Sequence, residues 1–240
     1  MQKLTVADID VKGKKVLMRV DFNVPLKSGK VADDTRIRAA LPTIRAIVAQ
    51  GGRLILMSHL GRPDGQRVDD MSMRPCVDVL AKHLGRNVHF VSDCVGERVE
   101  AAAAQLKDGE VLLLENLRFH LEEEKNDPGF ARKLAGLADL YVNDAFGTAH
   151  RAHASVAAAP ALYAPGRKAA GLLMGAEVAA LRRMVDDPEQ PYVAVVGGAK
   201  ISTKTAPLAA LLERVEALLI GGGMANTMLL AQGRSVGRSL

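Results

Sequence analysis

The sequence predicts an α/β fold in which the strands of a parallel sheet alternate with helices. Five short runs rich in Val, Ile and Leu are apolar throughout, which is typical of strands buried on both faces of a parallel sheet. Amphipathic segments separate these runs, and such strand–helix–strand units build open, right-handed α/β sheets. We therefore expect one complete α/β domain, a connecting helix and the beginning of a second, similar α/β domain.

The predicted strands of the first domain lie at intervals that leave room for a helix between most of them. In chain order they are VLMRVDF (16–22), RLILMS (53–58), VHFV (88–91), VLLLENL (111–117) and LYVND (140–144).

Two helices between these strands carry recognisable start and stop signals. In MRPCVDVLAKHLG, Ser72 precedes the segment as a candidate N-cap, and Gly85 ends it. In NDPGFARKLAGLAD, Asp127 and Pro128 start a segment whose apolar residues share one face. We expect both segments to pack against the sheet.

The chain changes character near residue 160, where APALYAPGRK contains two prolines and a glycine. A long amphipathic segment, AAGLLMGAEVAALRRMV, follows and ends at DDPEQP. Two further strand–helix units come next, YVAVVGG with STKTAPLAALLERVE and ALLIGGG with MANTMLLAQG. The predicted organisation is a first domain over 1–165, a connecting helix over 166–188 and an incomplete second domain over 189–240.

Composition narrows the possible functions. The net charge is +5, but basic and acidic residues are interspersed, and aromatic residues make up only 3% with no Trp. Nucleic-acid binding through a basic, base-stacking surface is therefore disfavoured. The N-terminus has acidic residues where a signal peptide needs an apolar core, and no apolar run approaches the roughly 18 residues of a membrane span. We expect a cytoplasmic protein without membrane contact.

The two cysteines, Cys76 and Cys94, lie far apart with no C-x-x-C motif. They cannot form a four-thiolate zinc site, and we expect them to be reduced and partly buried.

Basic and amide side chains follow four of the five predicted strands. Ligands of open α/β sheets bind beyond the carboxyl ends of the strands, so these residues are expected to converge. The planar guanidinium of arginine donates two parallel hydrogen bonds to a phosphate or a carboxylate, and few acidic residues stand among these basic side chains. The candidates are Asp21, Asn23 and Arg36 after the first strand, His59 and Arg62 around Gly61 after the second, Asn116 and Arg118 at the fourth, and His150 and Arg151 after the fifth.

Other interpretations of these residues stay open at this point. His150 and His153 could begin a zinc site, but their i,i+3 spacing is weak evidence and no third ligand stands nearby in the sequence. A Ser–His–Asp triad would lack the G-x-S-x-G elbow. His153 could equally be a packing residue.

The second domain contains a candidate phosphate site in VVGGAKISTK. Its spacing is not that of a P-loop, but a strand, a Gly-Gly turn, Lys200 and Lys204 one turn later suit a bound phosphate. The glycines of IGGGMAN could admit a base or a sugar close to the backbone. Because G-x-G-x-x-G is absent, a dinucleotide is disfavoured.

Seven blocks together resemble the phosphoglycerate kinase family, in order and at its spacings: RVDFNVP, DDTRIRAALPTI, MSHLGRP, LLLENLRFH, YVNDAFGTAHRAH, VVGGAKISTK and IGGGMA. The resemblance runs from near Met1 to Leu240. It implies two Rossmann-like, three-layer domains joined by a helix, in a monomeric glycolytic kinase. The implied reaction transfers phosphoryl between 1,3-bisphosphoglycerate and ADP to give 3-phosphoglycerate and ATP, with magnesium carried on the nucleotide as Mg-ATP or Mg-ADP.

The same resemblance assigns roles to individual residues. Arg36 and Lys200 would be catalytic, because each would stabilise charge on the phosphoryl group in flight. No general base is needed, since the acceptor is a carboxylate that is already ionised at pH 7. The implied phosphoglycerate-binding residues are Asp21, Asn23, Arg36, His59, Arg62, Arg118, His150 and Arg151. The implied nucleotide-binding residues are Gly198, Lys200, Lys204, Gly222 and Gly223.

Members of the family are considerably longer than 240 residues. The remainder would carry the ribose-binding Glu and the Asp that meets the magnesium–nucleotide, so we expect no metal ligand within this chain. The alternative expectation is a chain that binds 3-phosphoglycerate but does not turn over, with apolar surface exposed on its second domain.

Overall fold

The computed structural model describes residues 4–186, 188–199 and 205–239. Its strands are β1 (Lys15–Arg19), β2 (Leu26–Lys27), β3 (Lys30–Val31), β4 (Arg53–Met57), β5 (His89–Phe90), β6 (Val111–Leu113), β7 (Leu140–Asn143), β8 (Lys168–Ala170), β9 (Val193–Gly197) and β10 (Ala217–Gly221). Its α-helices are α1 (Thr35–Ala49), α2 (Arg74–Leu84), α3 (Glu97–Gln105), α4 (Leu121–Glu124), α5 (Pro128–Ala135), α6 (Ala158–Ala161), α7 (Leu172–Asp186), α8 (Thr205–Leu212) and α9 (Gly222–Ala231).

The chain divides into two compact units, Met1–Val178 and Ala179–Leu240. The first unit includes the beginning of α7 as well as β8. The functional domain limits expected from the sequence, 1–165, 166–188 and 189–240, stay a prediction.

A six-stranded sheet forms the centre of the first unit, in the order β5-β6-β4-β1-β7-β8. Every neighbouring pair is parallel, which confirms the α/β fold class. The central strands β1, β4 and β6 are buried because helices cover both sheet faces. Since the strands are parallel, the segments that follow β6, β4, β1 and β7 all emerge at one edge of the sheet.

Two separate apolar cores make this unit three layers thick. Met18 and Leu56 point to the face covered by α1 and α2, where Ile44 and Leu80 pack. The alternate residues of the same strands, including Leu17, point to the other face, which α3 and α5 cover. The period of two along each strand thus divides a continuously apolar run between two cores.

Local signals placed two helix ends correctly. Gly85 ends α2 with φ 65° and ψ 26°, a left-handed conformation that glycine adopts without steric cost. The Asp127 side chain accepts a hydrogen bond from the Phe130 amide at 2.7 Å and caps α5 as predicted. The N-cap position of α2 is Met73, one residue after Ser72, but the Ser72 Oγ accepts a hydrogen bond from the Arg74 amide at 3.2 Å and donates to Glu115 at 2.8 Å.

The segment after residue 165 differs from the sequence prediction. Residues 168–170 form the edge strand β8, which pairs with β7, and the long helix begins only at Leu172. Asp144 explains the late start, because its carboxylate accepts a hydrogen bond from the Met174 amide at 3.0 Å. A Cβ on Gly171 would lie 2.0 Å from that carboxylate, so the helix start requires glycine there.

The second unit contains the parallel pair β9 and β10 and the helices α8 and α9. Apolar side chains on the strands are largely exposed, with Val195 77% and Leu219 56% accessible. The apolar surface expected on these strands is therefore present in this chain.

No helix within the described ranges has the length and apolar character needed to cross a membrane.

Candidate functional site

Basic residues gather at the carboxyl edge of the six-stranded sheet. Arg118 stands just after β6 and is only 4% accessible. The pKa of its guanidinium is lowered, first by burial and further by the nearby charges of Arg151, Arg19 and Arg62, whereas Glu124 opposes the shift. The charges of this basic cluster, Arg118, Arg151, Arg19 and Arg62, thus act on one another at this edge of the sheet.

Asn116 holds the segment that carries Arg118. Its Oδ1 accepts hydrogen bonds from the amides of Leu60 (3.1 Å) and Arg118 (3.0 Å). Its Nδ2 donates to the carbonyls of Leu60 (2.7 Å) and Met71 (2.9 Å). One buried amide side chain therefore joins the end of β6 to the end of β4.

Arg118 has unused donor capacity. Its Nη1 donates to the Gly61 carbonyl at 2.8 Å. Its Nε lies 3.2 Å from Glu124 Oε1 but is buried without a properly oriented hydrogen bond within the described part of the chain. The Glu124 carboxylate therefore compensates the charge of this buried guanidinium without forming a well-oriented hydrogen bond to its Nε.

His59 is buried and neutral. Burial, the charge of Arg19 and then those of Arg118, His153 and Arg151 lower its pKa to about 2. Its Nδ1 lies 3.1 Å from Nη2 of Arg19. Because arginine is always a donor, Nδ1 must accept, and the neutral ring carries its proton on Nε2. His59 therefore offers a donor to a ligand and no positive charge.

Arg19 is a site residue that sequence reasoning missed. It ends β1, is 1% accessible, and its Nε donates to Ser155 Oγ at 3.0 Å. The Ser155 hydroxyl in turn donates to Glu123 Oε1 at 2.5 Å, and the Ser155 amide donates to Glu123 Oε2 at 2.8 Å, so the buried Glu123 balances the arginine charge. The available signal was a single arginine inside an otherwise apolar strand.

Asp21, Asn23 and Arg36 form the side of the cluster that follows β1. Arg36 donates a short hydrogen bond to Asp21, and about half of its side chain is accessible. Asn23 Oδ1 accepts from the Gly61 amide at 2.9 Å, which joins this loop to the one after β4. Arg62, next to Gly61, is exposed to solvent.

The loop after β7 supplies a partly accessible Arg151 and an exposed His150. His153 is buried, with Nδ1 3.9 Å from Glu123 Oε1. A zinc site on His150 and His153 gains no support, since the group of three potential metal ligands found in the described residues lies elsewhere.

The glycines singled out in the second unit pack backbone against backbone. Gly222 has φ 65°, and a Cβ on it would lie 3.1 Å from the Gly198 carbonyl oxygen. A Cβ on Gly223 would lie 2.8 Å from the carbonyl oxygen of Ala199. Two turns, after β9 and β10, can approach this closely only without side chains. Lys200 and Lys204 lie outside the described residues.

The parallel sheet with helices on both faces defines an α/β protein, and arginines stand around a neutral, buried histidine at the carboxyl edge of that sheet. The chain matches the family model described as "Phosphoglycerate kinase" over residues 6–240, and it belongs to that family.

Relatives and solved structures agree with this membership. The chain is 60% identical to the phosphoglycerate kinase of Moorella thermoacetica and 56% identical to that of Pelotomaculum thermopropionicum, in both cases over its whole length and 60% of the relative's. The structure of phosphoglycerate kinase from Coxiella burnetii superimposes with a TM-score of 0.86 at 41% identity, covering 100% of this chain and 59% of that one. The chain thus spans about 60% of the length of the curated relatives it matches.

Proposed function

We propose that this chain carries the triose-phosphate site of a glycolytic kinase that transfers phosphoryl between 1,3-bisphosphoglycerate and ADP. The products would be 3-phosphoglycerate and ATP. Family membership supports the reaction, and the observation that carries the site is Arg118, whose buried guanidinium stands near the positive charges of Arg151, Arg19 and Arg62.

The chemistry of the cluster suits 3-phosphoglycerate, which has a phosphate at one end and a carboxylate at the other. Arg62 is exposed and Arg151 is partly accessible, so each guanidinium can donate two parallel hydrogen bonds to a pair of anionic oxygens. His59 adds a neutral donor, and Asn23 helps to hold the loop that carries Arg62. Asp21 restrains Arg36, which we propose stabilises the phosphoryl group in flight.

The neutral state of His59 also supports a mechanism without a general base. An imidazole with a pKa of about 2 is too weak a base to remove a proton at pH 7. The carboxylate of 3-phosphoglycerate is already ionised, so no proton has to be removed before it attacks. Catalysis would then consist of positioning and charge stabilisation.

The nucleotide would bind to the second unit as Mg-ATP or Mg-ADP. Lys200 and Lys204 would bind phosphate oxygens, and the close approach of Gly222 to Gly198 and of Gly223 to Ala199 would present backbone rather than side chains to the ligand. The magnesium ion would neutralise phosphate charge, and we propose that its protein ligand lies outside this chain. We further propose a cytoplasmic monomer with no nucleic-acid or membrane partner.

Calorimetry with 3-phosphoglycerate tests the site. Replacing Arg62 or Arg151 with Ala should weaken binding by about 1.5–3 kcal/mol, the scale of a charged hydrogen bond. The matched control is Arg53→Ala, because Arg53 begins β4 at the opposite edge of the sheet, where it pairs with Asp108. Unchanged affinity in both cluster variants, or an equal loss in the control, would contradict the assignment.

A further inference from the structure

Asp93, Cys94 and His120 form a compact group at the β5 side of the sheet. A carboxylate oxygen, the Cys94 Sγ and a His120 ring nitrogen all lie within 4.8 Å of one another. Three atoms this close can all lie within about 2.8 Å of a common point, and bonds to zinc measure roughly 2.0–2.3 Å. We propose that these three side chains bind a thiophilic divalent cation such as Zn²⁺.

Existing contacts already hold the three groups in place. Asp93 Oδ1 accepts a hydrogen bond from the Cys94 amide at 2.7 Å and lies 2.7 Å from His120 Nε2. The Cys94 thiol donates to the Glu115 carbonyl at 3.0 Å. The His120 ring lies against Phe130, with centroids 5.0 Å apart. Shifts of less than about 1 Å would bring all three atoms to bonding distance from one ion.

The electrostatic surroundings favour a cation at this point. Asp93, Glu115 and Glu123 place negative charges around the buried Cys94 thiol. These charges would attract a dication. On binding, the metal would replace the thiol proton, which passes to solvent, and the sulfur–metal bond would neutralise the new charge.

Exposure and ligand type indicate the class of ion. The Asp93 side chain is 51% accessible and that of His120 26%, so an ion can reach the buried Cys94 from solvent. Sulfur, imidazole and carboxylate ligands select zinc-like ions, whereas Mg²⁺ prefers oxygen alone. Three protein ligands would leave one tetrahedral position for water.

The proposal is independent of the kinase activity and is tested by direct binding to the reduced 240-residue chain. Co²⁺ is the probe, because a sulfur-to-cobalt charge-transfer band reports thiolate ligation. We expect a one-to-one band that Zn²⁺ displaces, and we expect Cys94→Ser to abolish it. Cys76→Ser is the matched control, since Cys76 is equally buried but packs in the core on the opposite face of the sheet.

Asp93→Asn and His120→Gln provide a second test at side chains that are more accessible than Cys94. Loss of an outer-sphere partner typically weakens metal affinity 10–100-fold, so loss of a ligand should weaken it by at least about 100-fold. His89→Gln, a partly exposed histidine on β5, should leave affinity unchanged. If circular dichroism shows that Cys94→Ser is unfolded, the affinities of Asp93→Asn and His120→Gln test the metal site in its place. A band that survives in Cys94→Ser, or unchanged affinity in Asp93→Asn and His120→Gln, would overturn the proposal.

Discussion

Nη2 of Arg19 lies 3.1 Å from Nδ1 of His59 beneath the basic cluster, and both side chains are buried. Arg19 is the last residue of β1, and His59 follows β4, the parallel neighbour of β1. Arg19 is paired in register with Met57, the last residue of β4. Burial and then the neighbouring guanidinium lower the pKa of the imidazole and keep the ring neutral, and the guanidinium also fixes its tautomer. The electrostatic character of the site is thus set partly by a residue below it.

The first prediction concerns acid stability. The unfolded chain binds a proton at His59 near pH 6.5, but the folded chain does not until about pH 2. The residue's contribution to stability is therefore complete above pH 6.5 and declines as the pH falls from there towards 2. Between about pH 7.5 and about pH 5, the wild type should lose about 2 kcal/mol more unfolding free energy than His59→Gln. Urea denaturation at both pH values measures this, and parallel losses in the two proteins would contradict it.

The second prediction concerns the buried pair of Arg19 and Glu123, which Ser155 connects. Arg19→Met should destabilise the first unit by about 3–5 kcal/mol, because it leaves Glu123 buried without its compensating charge. Glu123→Gln in the Arg19→Met background should recover part of this loss. A double-mutant cycle by urea denaturation measures the coupling, and strictly additive effects would show that the two charges do not compensate one another.

The third prediction compares two glycines of the α7 region. Gly171→Ala should destabilise the fold by more than about 1 kcal/mol, because the new Cβ meets the Asp144 carboxylate that caps the helix. Gly175→Ala, inside α7 with open space around it, should stabilise the fold by roughly 0.5–1 kcal/mol. Thermal denaturation of both variants checks the two signs. Equal shifts would show that the Asp144 contact does not restrict position 171.

The fourth prediction concerns Lys200 in a full-length enzyme that contains this chain. Its position beside a Gly-Gly turn suits an ammonium that follows the transferring phosphoryl group. Lys200→Ala should therefore lower kcat far more than it raises KM for ATP. Steady-state kinetics at varied ATP separate the two effects. A variant that kept its kcat and lost only nucleotide affinity would assign Lys200 to ground-state binding.

Much of the site was predictable because its residues stand next to strands. Arg62 and Arg151 follow apolar runs, and parallel strands bring their carboxyl ends to one edge whatever the sheet order. Arg19 was not predictable in this way, because its role depends on His59, 40 residues away. The group of Asp93, Cys94 and His120 was missed for the same reason, since the spacing of its members resembles no metal motif.

The sequence by itself determined the α/β class, the five apolar strands of the first domain, and helix ends such as those at Gly85 and Asp127. Apolar periodicity and capping act over a few residues, so they can be read from neighbours in the chain. Only the tertiary structure decided that β8 pairs with β7 and that Asp144 delays the start of α7. It also decided that burial and the charge of Arg19 keep His59 neutral. These features depend on contacts between residues distant in the sequence, which exist only once the sheet has assembled.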